Sequence, residues 1–289
     1  MTTIEVQENG KKVEIPSSWP EIPAETIQKI FRIHDRILKE KSGSLLEFNV
    51  RVLYLLLGIR PSWKVMLHPG NAPENVYLLC ESALGFLFTE DKKGARLSFD
   101  DIRNPMPKAG RLYGPDDLLQ NLTFGEFRQA AMSLQQFFKG YDISDLDDCI
   151  AILYRRRRGK ANRAGRRVTP MGSRQFFADR KAVEKMAPWR KNLIMMWFSA
   201  CLKYLQTQTI TLNGEDVEMA KLFSNAKGAG ASAITYTWND LLVQIAKEQT
   251  IGTMERVDEE PLFSILALMW SNYKEAKRNE KASKAHHRK

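Results

Sequence analysis

Cysteine is scarce in this 289-residue chain: Cys80, Cys149 and Cys201 are odd in number, far apart and each set in apolar sequence. The pattern argues against a disulfide framework and for reduced core thiols in a reducing compartment. Eighteen consecutive apolar residues occur nowhere, and the opening MTTIEVQENGKK lacks a basic start followed by an apolar run. Membrane spanning and secretion are therefore not expected, and a cytoplasmic location is. Histidine is nearly as rare as cysteine. His34, His68, His286 and His287 have no metal-ligand partner at working spacing and adjoin no Ser or Cys in a nucleophile motif. Gly228 and Gly230 resemble part of a phosphate loop, but Lys227 precedes them and no Lys-Ser or Lys-Thr follows. Asp142, Asp145, Asp147 and Asp148 lack the turn glycine and distal Glu of a calcium loop, so helix capping explains them better. No metal, cofactor or catalytic constellation is expected, and the chain reads as a binding protein rather than an enzyme. No repeat of fixed period is present.

What remains is ordinary globular composition with an uneven charge. Hydrophobic residues make up 43% and charged residues 27%, enough apolar sequence to build a core of one or two domains. The net charge is +10, of which Arg155–Arg167 supplies +8 with no acidic residue and 274–289 supplies +5, leaving the rest at −3. Basicity belongs to two segments and not to the folded body.

Periodicity predicts a mainly α-helical fold, bundle-like, with a small β-hairpin at the start. In TIEVQENGKKVEI the Asn9-Gly10 pair favours a two-residue turn, which would set Val6 against Val13 and Ile4 against Ile15. Ile27, Ile30, Phe31, Ile33, His34 and Leu38 mark an amphipathic helix, and Ser44-Leu-Leu-Glu47 is a capping box for a second, ended by Gly58. The run 76–88 suits helix or buried strand, with helix preferred. Residues 91–116 mix charge, Gly and Pro and read as a surface connection between domains. Thr123-Phe-Gly-Glu126 starts a helix closed by Gly140, and Ser144-Asp-Leu-Asp147 starts the next. A long apolar helix resumes near Arg190, Gly214 sits in a hairpin or loop, and 226–233 is a flexible connector. Thr237 and Asp258 each open a further helix. The expected organisation is a hairpin-plus-helices domain (1–90), a connection (91–116), a helical domain (117–275) with a mobile basic loop (155–170), and a basic disordered tail (276–289).

Arg155, Arg156, Arg157, Arg158, Lys160, Arg163, Arg166 and Arg167 form the candidate binding segment. Such a run suits the phosphates of a nucleic acid, an acidic protein partner, or plain solvation. No aromatic is interleaved to stack a base. Trp19, between Pro16 and Pro20, is either a core anchor for the hairpin or a docking residue.

Three stretches carry a resemblance. IPSSWPEIPAETIQKIFRIHDRIL followed by LEFNVRVLYLLLGI resembles the proline–tryptophan–helix–helix opening of proteins encoded among the tail genes of phages and prophages of Bacteroidetes-type bacteria. NLTFGEFRQAAMSLQQFF with DISDLDDCIAILYR is similar to their LT-x-x-EF … LYR block, and TWNDLLVQIAKEQTIGTMERVDEEPLFSIL to their C-terminal W-N-x-L-L pair. The resemblance implies a tail-assembly protein of the bacterial cytoplasm, or a component of the virion, similar to the tail assembly chaperones that coat the tape-measure protein. Its partner would be a phage tail or other phage structural protein, held through helical apolar grooves and the basic loop. The alternative is a nucleic-acid-associated protein using the basic loop and tail.

Overall fold

A computed structural model describes residues 2–6, 11–39, 44–91, 94–223, 238–247 and 251–286. It is mainly helical, 63% helix, with small two-stranded antiparallel sheets. The chain divides into two compact units: Met1–Met106 with Lys185–Ala200, and Pro107–Glu184 with Cys201–Lys289.

The first unit opens with β1 (Thr2–Val6) and β2 (Lys11–Ile15), followed by α1 (Ala24–Lys39), α2 (Leu45–Leu57), α3 (Trp63–Leu67) and α4 (Glu74–Ala83), then β3 (Phe88–Asp91) and β4 (Gly94–Leu97). The hairpin forms in a different register from the one Asn9-Gly10 suggests: Ile4 opposes Val13 and Thr2 opposes Ile15. A shift of two residues keeps every side chain on its face, so the apolar alternation cannot distinguish the two registers. The Asn9-Gly10 turn itself lies outside the described residues. The Ser44 side chain accepts from the Glu47 amide, as a cap should, and Gly58 ends α2 in the left-handed conformation at φ 65°. The return half of that box is not made, and Glu47 Oε1 accepts from Arg51 at 2.6 Å. The 76–88 stretch is helix as far as Ala83, and a strand begins at Phe88.

Trp19 is 1% exposed, its ring centroid 4.8 Å from Phe99 and 6.1 Å from Phe86. It is a core anchor, and the docking role considered for it has no accessible surface to act through. The stretch read as a surface connection is partly interior as well: Phe99, Asp101, Asn104 and Met106 are buried. Arg103 explains this, pairing with Asp101 at 2.6 Å while donating to the Trp19 and Ile22 carbonyls, so polar loop residues are satisfied inside the unit.

The second unit begins with the hairpin β5 (Lys108–Ala109) and β6 (Leu112–Tyr113), then α5 (Phe124–Gly140), α6 (Ile143–Leu153) and α7 (Arg174–Glu184). The division of the chain falls inside α8 (Pro188–Thr207). Beyond it come β7 (Thr209–Leu212), β8 (Glu215–Glu218), α9 (Met219–Phe223), α10 (Trp238–Lys247), α11 (Met254–Glu259) and α12 (Leu262–His286). The Thr123 capping box is complete, with Thr123 and Glu126 satisfying each other's backbone amides. Gly140 stays inside α5, and Tyr141 takes the left-handed cap at φ 55°. Asp142, two residues before Ser144, caps α6. Asn213-Gly214, both at positive φ, make the turn between β7 and β8. The 226–233 connector and Thr237 lie outside the described residues.

The tail expected to be disordered from 276 continues α12 through His286. Lys277 and Lys284 both pair with Glu280 at helical spacing, which supports the last turns although their side chains face solvent.

Candidate functional site

The eight basic residues of 155–167 divide into a buried set and an exposed set. Glu126, third residue of α5, is the hub. Its place in the capping box fixes the carboxylate, and Oε2 accepts from the Thr123 amide at 3.2 Å. Oε1 accepts from the Arg155 guanidinium and from Asn162 Nδ2. Arg155 also donates to the Thr169 carbonyl at 2.7 Å. Arg166 donates to the Tyr113 and Leu153 carbonyls, with Nη1 3.8 Å from Glu126. Exposures of 1% for Arg155, 4% for Glu126 and 5% for Arg166 make this an interior network. Burial lowers the Arg166 pKa to about 10 against the opposing pull of Glu126, so it stays protonated at neutral pH. Arg156 pairs with the fully buried Asp179 of α7 at 2.8 Å, and Arg163 pairs with Glu260. Backbone bonds between Tyr113 and Arg155 at 2.8 and 3.2 Å fasten the segment to β6.

The expectation that all eight cations form one binding segment is thus corrected. Arg155 and Arg166 neutralise an interior carboxylate and are closed to a partner, and Arg156 and Arg163 are engaged by acidic side chains. Arg157, Arg158, Lys160 and Arg167 face solvent. Arg157 lies 4.3 Å from the centroid of the Tyr113 ring, and Lys108, the cross-strand neighbour of Tyr113, lies 5.3 Å from it. An aromatic therefore does stand among the exposed cations. It was missed because it comes from 42 residues upstream of Arg155 in the sequence, where only the fold could bring it.

A second surface carries no signal of periodicity or charge and was not anticipated. Seven of the twelve exposed large apolar side chains among the described residues fall between Leu45 and Leu78. On α3, Trp63, Met66 and Leu67 stand at i, i+3 and i+4, so they share one face, while Val65 turns inward and is buried. Trp63 is 67% and Leu67 65% exposed. In the second unit Phe138, Tyr141 and Ile143, around the α5–α6 turn, are exposed too.

No group of three or more Cys, His, Asp or Glu placed to hold a metal occurs among the described residues. No described helix is long and apolar enough to cross a membrane. Comparison with protein-family models, curated proteins and solved structures gives no match.

Proposed function

We propose that the chain is a helical assembly factor or accessory structural protein of a phage tail, acting in the bacterial cytoplasm by binding another phage protein rather than by catalysis. The observation that carries the binding part is the exposed apolar face of α3, Trp63, Met66 and Leu67, with four more exposed large apolar side chains between Leu45 and Leu78, because monomeric soluble proteins seldom leave large apolar faces in water without a partner. The phage-tail part rests on the three short motifs. A tape-measure protein, long and apolar-faced, is the partner to test first. The test is an affinity pull-down from cells expressing the neighbouring genes, with and without nuclease. Recovery of one phage protein that survives nuclease supports the reading, and recovery of none sinks it.

One observation favours a second reading, association with nucleic acid. Two cations, Lys108 and Arg157, converge on Tyr113, and Arg158 and Lys160, which follow Arg157 in the sequence, are exposed, so phosphate contacts and an aromatic ring come from one segment and its neighbour strand. Partner recovery that disappears with nuclease would shift the assignment to it.

A further inference from the structure

We infer that the outward face of α3 is a docking site for an acidic amphipathic helix of another protein. The inference rests on the protein-binding reading and names the surface and the chemistry of its partner. A short helix with an exposed tryptophan, methionine and leucine on one side offers a hydrophobic strip that a second helix can cover with an i, i+3, i+4, i+7 stripe. Tryptophan is also the residue type most often found to anchor such contacts, since one ring removes a large apolar area from water at small entropic cost.

Charge selects the partner. From Phe48 to Pro73 the sequence has no Asp or Glu, while Arg51, Arg60 and Lys64 are cationic. Arg51 is taken up by Glu47, leaving Arg60 and Lys64 exposed, three residues before and one residue after Trp63 in the sequence. Lys64 Nζ sits 5.9 Å from the Trp63 ring centroid, so its charge borders the apolar strip directly. A helix whose apolar stripe is flanked by carboxylates satisfies both features, whereas a basic helix would meet like charge at the rim. An anionic bilayer attracts the same residue types, but stable attraction draws on clusters of about four to eight cations. The stretch from Phe48 to Pro73 leaves two exposed, Arg60 and Lys64.

The test uses the full chain and two fluorescein-labelled 18-residue peptides, each with leucine at i, i+3, i+4, i+7 spacing, one flanked by Glu and its twin by Lys. Anisotropy titration should show the Glu peptide binding at least tenfold tighter. The double substitution Trp63→Ser with Leu67→Ser should weaken it tenfold or more with an unchanged melting curve, because both side chains are largely in water already. Arg60→Glu with Lys64→Glu should reverse the peptide preference. Failure of both peptides to bind, equal binding of the two, or binding indifferent to the Trp63/Leu67 variant overturns the inference. So does Trp63-dependent sedimentation with phosphatidylglycerol vesicles in place of peptide binding. In the pull-down, a phage protein recovered equally by wild type and the Trp63/Leu67 variant leaves the assembly reading standing and overturns this face. Trp63-dependent peptide binding with no phage protein recovered does the opposite.

Discussion

At the scale of single residues, Glu126 decides most. It is one buried anion facing two buried guanidiniums, so removing its charge leaves Arg155 and Arg166 without compensation in a medium that solvates them poorly. Glu126→Gln is expected to cost about 3–5 kcal/mol of unfolding free energy in a urea titration. Arg158→Gln, an exposed change in the same neighbourhood, should stay within about 0.5 kcal/mol. A loss no greater than that at Glu126 would show that the network does not hold the fold. Gly114 is the other sensitive point: a Cβ there would stand 2.6 Å from the Tyr154 ring. Gly114→Ala is therefore expected to cost about 1–3 kcal/mol, since the ring is buried and has little room to retreat. The cysteines behave oppositely, as inert interior groups. All three are buried, and burial pushes the Cys80 thiol up to about 11 and raises the Cys149 thiol as well. A bulky disulfide reagent at pH 8 should modify none of them in the native protein and all three in denaturant. A thiol reacting at once would contradict their placement.

Among the elements, α1 carries a pH dependence. Its His34, packed edge-on against Phe48 of α2, has a pKa lowered from 6.5 mainly by burial, with Asp35 pulling the other way. The unfolded chain therefore binds a proton more readily than the folded one between the lowered value and 6.5. Stability is complete above pH 6.5 and falls as the pH drops through that window. His34→Gln should flatten the change in denaturation midpoint between pH 7 and pH 5, and an equal slope in the variant would assign the effect elsewhere. Elements of this kind were legible in the sequence. The amphipathic period announces α1, and the Ser44 and Thr123 caps with the Gly58 stop bracket their helices because each is a local interaction between residues three or four apart. The hairpin register was not legible, since a two-residue slip preserves the alternation. The five-residue α3 is too short to show a period, and α7 has too mixed a composition to stand out beside the basic run. The candidate site was half legible. Charge alone points to 155–167, but which arginines go inside depends on Glu126, Thr169 and Asp179, whose proximity is a product of the fold.

For the molecule as a whole, the +10 net charge overstates what is available to a polyanion. Of the eight cations in the central segment, two lie inside and two more are taken up by acidic side chains, leaving Arg157, Arg158, Lys160 and Arg167 in water. Each phosphate neutralised contributes about 0.9 to the slope of log affinity against log salt on duplex DNA, so these four account for at most about 3–4. If the nucleic-acid reading holds, changing all four to Gln should lower the measured slope by that amount while leaving the melting curve intact. An unchanged slope would place DNA contacts elsewhere, the exposed cations at the end of α12 being the next to change. Absence of retention on DNA at low salt in the wild type would remove the reading altogether. The buried pair gives the control that a sequence-only design would misinterpret. Substituting Arg155 leaves Glu126 uncompensated in the interior and is expected to destabilise the second unit whether or not Arg155 meets a partner, so loss of affinity counts as recognition only when it leaves stability unchanged.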